Sequence, residues 1–196
     1  MVHLIGTPAV GKYTVGKELA RLTGARLVDN HSIANVIFNI VGADGVAPLP
    51  AEIWPYVGQV RRAALDALIH VAPRALSYVV TNYMRGEDEG ELAAFAEVAA
   101  VAEIRGSVFV PVILSCQTSE LVARAANPDR KERMKLIDPD AVARMNDEIP
   151  GFETDHPNLL RLDTTRTLPH ESARQIAAWT RECMERDART GAGRLA

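Results

Sequence analysis

The run Gly6-Thr7-Pro8-Ala9-Val10-Gly11-Lys12-Tyr13-Thr14 has the residue types and spacing in this chain that point most directly to chemistry. Gly-x-x-x-x-Gly-Lys between an apolar run and an amphipathic segment is the pattern of a loop that wraps phosphate groups. In such a loop the backbone N–H groups face the anion, and the positive end of the following helix adds attraction. Gly6 and Gly11 leave room for close backbone approach, and Lys12 brings a charge to the β- and γ-phosphates. Gly6, Pro8, Ala9, Val10, Gly11, Lys12, Tyr13 and Thr14 are therefore the candidate nucleotide cradle. A plain strand-to-helix turn with a solvated Lys12 is the alternative. A dinucleotide site fits less well, because Gly-x-Gly-x-x-Gly is missing and a lysine follows the last glycine.

One position departs from the pattern. The residue after the lysine is ordinarily Ser or Thr, whose hydroxyl binds Mg²⁺. Here it is Tyr13, followed by Thr14, and a phenol on a long ring cannot take the place of a short hydroxyl. Three outcomes follow: Mg²⁺ held through water and nucleotide, compensation by Thr14, or nucleotide binding with weak catalysis. The expectation is an ion held by waters, phosphate oxygens and Asp29.

With this loop at its start, the chain resembles the small P-loop kinases of the shikimate kinase, gluconate kinase and nucleoside monophosphate kinase group. The likeness spans most of the chain and rests on few motifs. In that group the second strand ends in an acidic motif, and this sequence has Asp29-Asn30-His31 at the matching place. By that likeness Asp29 lies near Mg²⁺ or the acceptor hydroxyl, and His31 stands where a second carboxylate is usual. Capping of the next helix is the other reading of Asp29. The fourth strand leads to Glu120 and Arg124, and then to Arg130, Lys131, Arg133 and Lys135. In the kinase group this region bears a nucleotide-side arginine and a mobile lid with arginines, which implies that Arg124, Arg130 and Arg133 close over the nucleotide. Arginines there neutralise charge that develops during transfer and help exclude water. A solvated basic surface is the alternative. Asn127-Pro128-Asp129 is a turn signal suited to a hinge.

Other signals are weaker. Arg61, Arg62 and Arg85 are candidates for an anionic acceptor or simply surface residues, and Asn82 and Tyr83 fall where open α/β sheets bind ligands. Trp54, Tyr56 and Trp179 read as packing residues. His3, His70, His156 and His170 lack metal spacing and receive no role.

The elements that must position these groups alternate along the chain. Strands are predicted at residues 2–5, 25–29, 77–84, 107–116 and 158–164. Helices are predicted at 12–23, 31–41, 51–72, 89–105, 118–126, 139–147 and 169–186. Pro111 conflicts with a fully hydrogen-bonded central strand. Strands alternating with helices imply an α/β fold, a parallel sheet with helices on both faces. With the resemblance, this becomes a three-layer P-loop NTPase fold with a five-stranded parallel sheet and a short helical lid over about residues 124–148. Residues 1–186 are expected to form one domain and 187–196 a frayed tail.

Composition narrows the function classes. The 196 residues are 47% hydrophobic and 24% charged, which excludes wholesale disorder. Lys and Arg number 22 against 25 Asp and Glu, a net charge of −3 that argues against a dedicated nucleic-acid binder. Cys116 and Cys183 are isolated thiols, as in a reducing compartment. No stretch approaches the ~20 apolar residues of a membrane span, and Met1–Gly6 lacks the features of a signal peptide. The expectation is a cytoplasmic phosphotransferase moving the γ-phosphoryl group of ATP, with Mg²⁺, to a small acceptor. A sugar, a nucleoside, an antibiotic and a metabolite acid all fit as acceptor, and no signal bears on oligomeric state. A nucleotide sensor without transfer and an NTP hydrolase are the rival classes.

Overall fold

In a computed structural model describing residues 1–86 and 89–192, the strands are β1 (Val2–Ile5), β2 (Arg26–Asp29), β3 (Tyr78–Asn82), β4 (Val110–Ser115) and β5 (Leu160–Asp163). They form one sheet in the order β2-β3-β1-β4-β5, with every neighbouring pair parallel. The helices are α1 (Lys12–Thr23), α2 (Asn30–Ile40), α3 (Trp54–His70), α4 (Glu89–Ile104), α5 (Thr118–Ala125), α6 (Pro128–Glu132), α7 (Pro139–Asp147) and α8 (Pro169–Ala192).

Central β1 is buried along its whole length, as an apolar run covered on both faces must be. On one face Val15 and Leu19 of α1 pack with Leu121 of α5, Val142 of α7 and Ile176 of α8. On the other, Leu65 and Leu68 of α3 pack with Val98 and Val101 of α4. This is the expected three-layer arrangement. It places the ends of β1, β2 and β3 together at one rim, where their following loops meet. His3, given no role by the sequence, is a core residue that pairs with Asn82 Oδ1 at 2.9 Å and stacks on Phe95. Burial pushes its pKa down to about 4.

Strands β3 and β5 are shorter than expected, ending at Asn82 and beginning at Leu160, and other elements also differ. β4 begins at Val110 rather than residue 107. Pro111 is tolerated because Val110 N–H bonds Met1 O on the β1 side, while pairing with β5 begins only at Val112. The missing N–H thus faces a side with no strand partner at that level. Residues 51–53 form a 3₁₀ turn before α3, with Pro55 in the first turn of the helix. Asn127-Pro128-Asp129, read as a turn, opens the short α6, and the Asn127 side chain accepts from Asp129 N–H.

Fraying expected from Asp187 is corrected by α8, which continues to Ala192. Arg186 anchors that region through Asn158 Oδ1 and the Trp179 face, and the Thr190 hydroxyl bonds Arg186 O. The last part of the predicted tail, residues 193–196, lies outside the described residues. Among the described residues, no helix is long and apolar enough to cross a membrane.

Candidate active site

The loop from Gly6 to Gly11 links β1 to α1 and is held in a sterically costly shape. A Cβ at Gly6 would lie 2.5 Å from Leu114 O, so only glycine fits between the two strands there. Ala9 has φ 67°, a left-handed conformation that costs an L-residue roughly 1–2 kcal/mol. The Lys12 ammonium folds back to donate to Gly6 O at 2.6 Å and Thr7 O at 2.8 Å. Removal from water pushes its pKa down to about 7; Lys135 and Arg130 repel it further, and Asp29 opposes the shift.

Asp29, at the end of β2, is buried beside this lysine. Its Oδ1 accepts from the Thr81 hydroxyl at 2.7 Å and its Oδ2 lies 3.6 Å from Lys135 Nζ. Asn30 N–H donates to the Thr81 hydroxyl at 3.1 Å. Asp29 occupies the N-cap position of α2, yet its side chain makes no capping bond. The carboxylate is therefore directed to Lys135 and Thr81, and capping does not account for it. His31, two residues on, has a pKa pushed down to about 4 by burial and by Lys135, so its ring is neutral near pH 7.

The segment after β4 lies over the phosphate loop. Arg133 stands 4.1 Å from the centre of the Tyr13 ring, Lys135 4.5 Å, and Lys17 of α1 5.6 Å. Tyr13 is thus a platform for cations in place of a short hydroxyl. The segment is also tied to its surroundings: Asn35 Nδ2 donates to Arg133 O at 3.1 Å, and Ile137 N–H to Gly45 O at 3.0 Å. Gly45 has φ +81°, and a Cβ there would come within 2.4 Å of Lys135 O. Thr7 of the phosphate loop donates to Asn146 of α7 at 3.3 Å.

The sequence-predicted arginines take different places. Arg130 donates to Leu136 O through Nε and Nη2, at 3.1 and 2.6 Å, and braces its own segment. Arg124 pairs with Glu120 at 2.8 Å and donates to Thr164 O at 2.7 Å, with a 3.5 Å contact to Val10 O. It joins α5, the phosphate loop and the loop after β5. Arg61 is turned to α4, 2.8 Å from Glu97 and donating to Ala94 O.

Of the predicted candidates, Pro8, Ala9, Val10, Gly11, Lys12, Tyr13, Thr14, Asp29, Arg61, Arg85, Arg124, Arg130 and Arg133 line one cleft of ≈1310 Å³, whereas Gly6 and Arg62 do not. Sequence reasoning left Lys135, Thr81 and Phe38 out of the site and gave Trp54 a packing role. Lys135 is buried though it belongs to a charge run, and Trp54 lines the cleft with about half its surface exposed. Trp54 opens α3 beyond the face that packs on the sheet.

The residues do not assemble a ligand set for Mg²⁺. Both Asp29 oxygens are engaged, Thr14 is exposed, and Tyr13 offers a ring face to cations. Among the described residues, no cluster of His, Cys, Asp and Glu is suited to a metal ion.

No family model matches the chain. Shikimate kinases of Mycobacterium ulcerans and Mycobacterium marinum are each 26% identical to it, over 184 and 181 residues, covering 88% of this chain and 85% of each relative. A gluconokinase from Sinorhizobium meliloti 1021 superposes with a TM-score of 0.63 at 16% identity, over 96% of this chain and 95% of that one. A sugar kinase from Janibacter sp. HTCC2649 gives 0.60 at 16%, over 91% and 92%. The structural likenesses bear on the fold alone. In sequence and in fold the chain resembles the small P-loop kinases.

Proposed function

We propose that the protein is a cytoplasmic, ATP-dependent phosphotransferase that moves the γ-phosphoryl group to a hydroxyl or phosphate of a small acceptor. The observation that carries this reading is the meeting of Lys12, Lys135 and buried Asp29 at the strand ends, beside a loop shaped for phosphate. The cleft continues past them toward α2 and α3, with room for a second molecule.

In the reaction the acceptor oxygen bonds the γ-phosphorus while the bond to the bridging β,γ-oxygen breaks. ADP keeps that electron pair, and an acceptor hydroxyl gives up its proton. Lys12 meets the β- and γ-phosphates, with loop residues Gly6, Pro8, Ala9, Val10, Gly11, Tyr13 and Thr14 around them. Asp29 holds the Lys135 ammonium in the phosphate field and is the candidate proton acceptor. Arg130 and Arg133 close from the lid, residues 124–148, and Arg124 braces the nucleotide side. Catalysis of this kind is positioning and charge stabilisation. Any Mg²⁺ that accompanies ATP is left to phosphate oxygens and water.

The test follows the fate of γ-labelled ATP in the presence of hydroxyl compounds. Label on an acceptor, with transfer sharply reduced in Asp29→Asn, is the expected result. Release to water without need of an acceptor would make the protein a hydrolase. Tight ATP binding with no turnover would make it a sensor.

A further inference from the structure

The two ends of the cleft use their charges differently. Lys12, Lys135, Arg130 and Arg133 gather around the phosphate loop. At the other end the cations are Arg61 and Arg85, and each already faces a carboxylate of α4. Arg61 lies 2.8 Å from Glu97 and donates to Ala94 O at 2.7 Å, and Arg85 Nε lies 3.9 Å from Glu91. A carboxylate entering here would meet an Arg61 whose guanidinium is already shared between Glu97 and Ala94 O, so this end holds less uncommitted positive charge than the phosphate end.

The walls of this end are apolar and aromatic. Ala34 and Phe38 of α2 pack with Ile53 and with Val57 of α3, and Ala34, Phe38 and Val57 line this end together with Leu65. Trp54 meets Phe38 edge to face, with ring centres 6.1 Å apart and planes at 83°. The polar lining of this end includes the neutral His31 ring, the Asn82 side chain and the Tyr83 hydroxyl, which is buried with no hydrogen-bond partner among the described residues. A flat apolar face and a few neutral donors and acceptors fit a molecule of the same character.

We infer that the acceptor is an uncharged hydroxyl compound with one flat apolar face, seated against Phe38 and Trp54 with its polar edge toward His31 and Tyr83. This rests on the phosphotransferase reading and departs from the acids shikimate and gluconate, the acceptors named for the similar kinases.

The experiment uses acid and neutral partners on one skeleton: shikimate with methyl shikimate, and gluconate with glucitol, together with adenosine as a flat neutral probe. Binding is measured by calorimetry and thermal shift on the full chain, with and without a non-hydrolysable ATP analogue. The expected result is at least one neutral probe binding tenfold or more tighter than the acids. Trp54→Ala, at a half-exposed position, should weaken that probe about tenfold while analogue affinity stays unchanged. Acids that bind as tightly as the neutral probes, no neutral probe that binds, or no effect of Trp54→Ala would overturn the inference. If the analogue itself fails to bind, the phosphotransferase reading falls first. If it binds while acids win, only the acceptor class is wrong.

Discussion

At the scale of single residues, Lys12 carries the clearest pH signature. Its pKa in the folded chain is about 7, against 10.5 for a free lysine side chain. Between those values the unfolded chain holds more protons, so this group makes the nucleotide-free fold gain stability as pH rises through that window. A bound polyphosphate favours the charged ammonium and restores the proton. Nucleotide binding at pH 8 should therefore take up protons, and affinity should fall as pH rises. Calorimetry in two buffers of different ionisation enthalpy measures the uptake; none at all would show that phosphate does not reach Lys12. Tyr13 permits a second prediction. Its ring faces Arg133 and Lys135, contacts worth about 0.5–1 kcal/mol each at partly exposed sites. Tyr13→Phe should leave nucleotide affinity in chelator near wild type, while Tyr13→Ser should weaken it about fivefold, the loss of roughly one such contact. Mg²⁺ should help the serine variant more than the wild type, because a short hydroxyl can ligand the ion. Equal losses in both variants would locate the effect in the phenol oxygen.

At the scale of elements, Arg124 separates bracing from binding. Its guanidinium spans Glu120, Val10 O and Thr164 O, and its side chain is 29% exposed. Arg124→Ala leaves a carbonyl of the β5–α8 loop without its donor, so the nucleotide-free protein should lose about 1–3 kcal/mol in denaturant unfolding. An arginine serving only the nucleotide would leave that stability unchanged. The same contrast shows what the sequence could convey. The Gly6–Thr14 loop was legible because its spacing is local and its backbone geometry dictates glycine and lysine. The alternation of strands and helices was legible from hydrophobic period. Lys135 was not, since a lysine in a run of charges looks solvated until the fold brings Asp29 beneath it. Nor were Thr81 and Trp54, because their roles depend on α2 and α3 lying across the end of β3. Pro111 misled only as long as the neighbours of β4 were unknown.

At the scale of the whole molecule, the segment bearing Arg133 and Lys135 bridges the two halves of the cleft. Lys135 is held by Asp29 of β2, by the Tyr13 face of α1 and by its own N–H to Arg130 O. Neighbouring ties run from Asn35 to Arg133 O and from Ile137 to Gly45 O. Met134 between them adopts φ 50° and packs against the cluster of Phe38 and Ile53. The segment thus lies over part of the phosphate loop, beside Tyr13, and this has a consequence for the rate of entry. Capture is therefore expected to run in two steps, the segment swinging aside before phosphate settles on Lys12, with that movement setting an upper speed. In stopped-flow mixing that follows Trp54 emission, the observed rate should level off at high ATP. Asn35→Ala, which cuts one tie, should raise the plateau; a rate that climbs linearly throughout would mean that the door stands open.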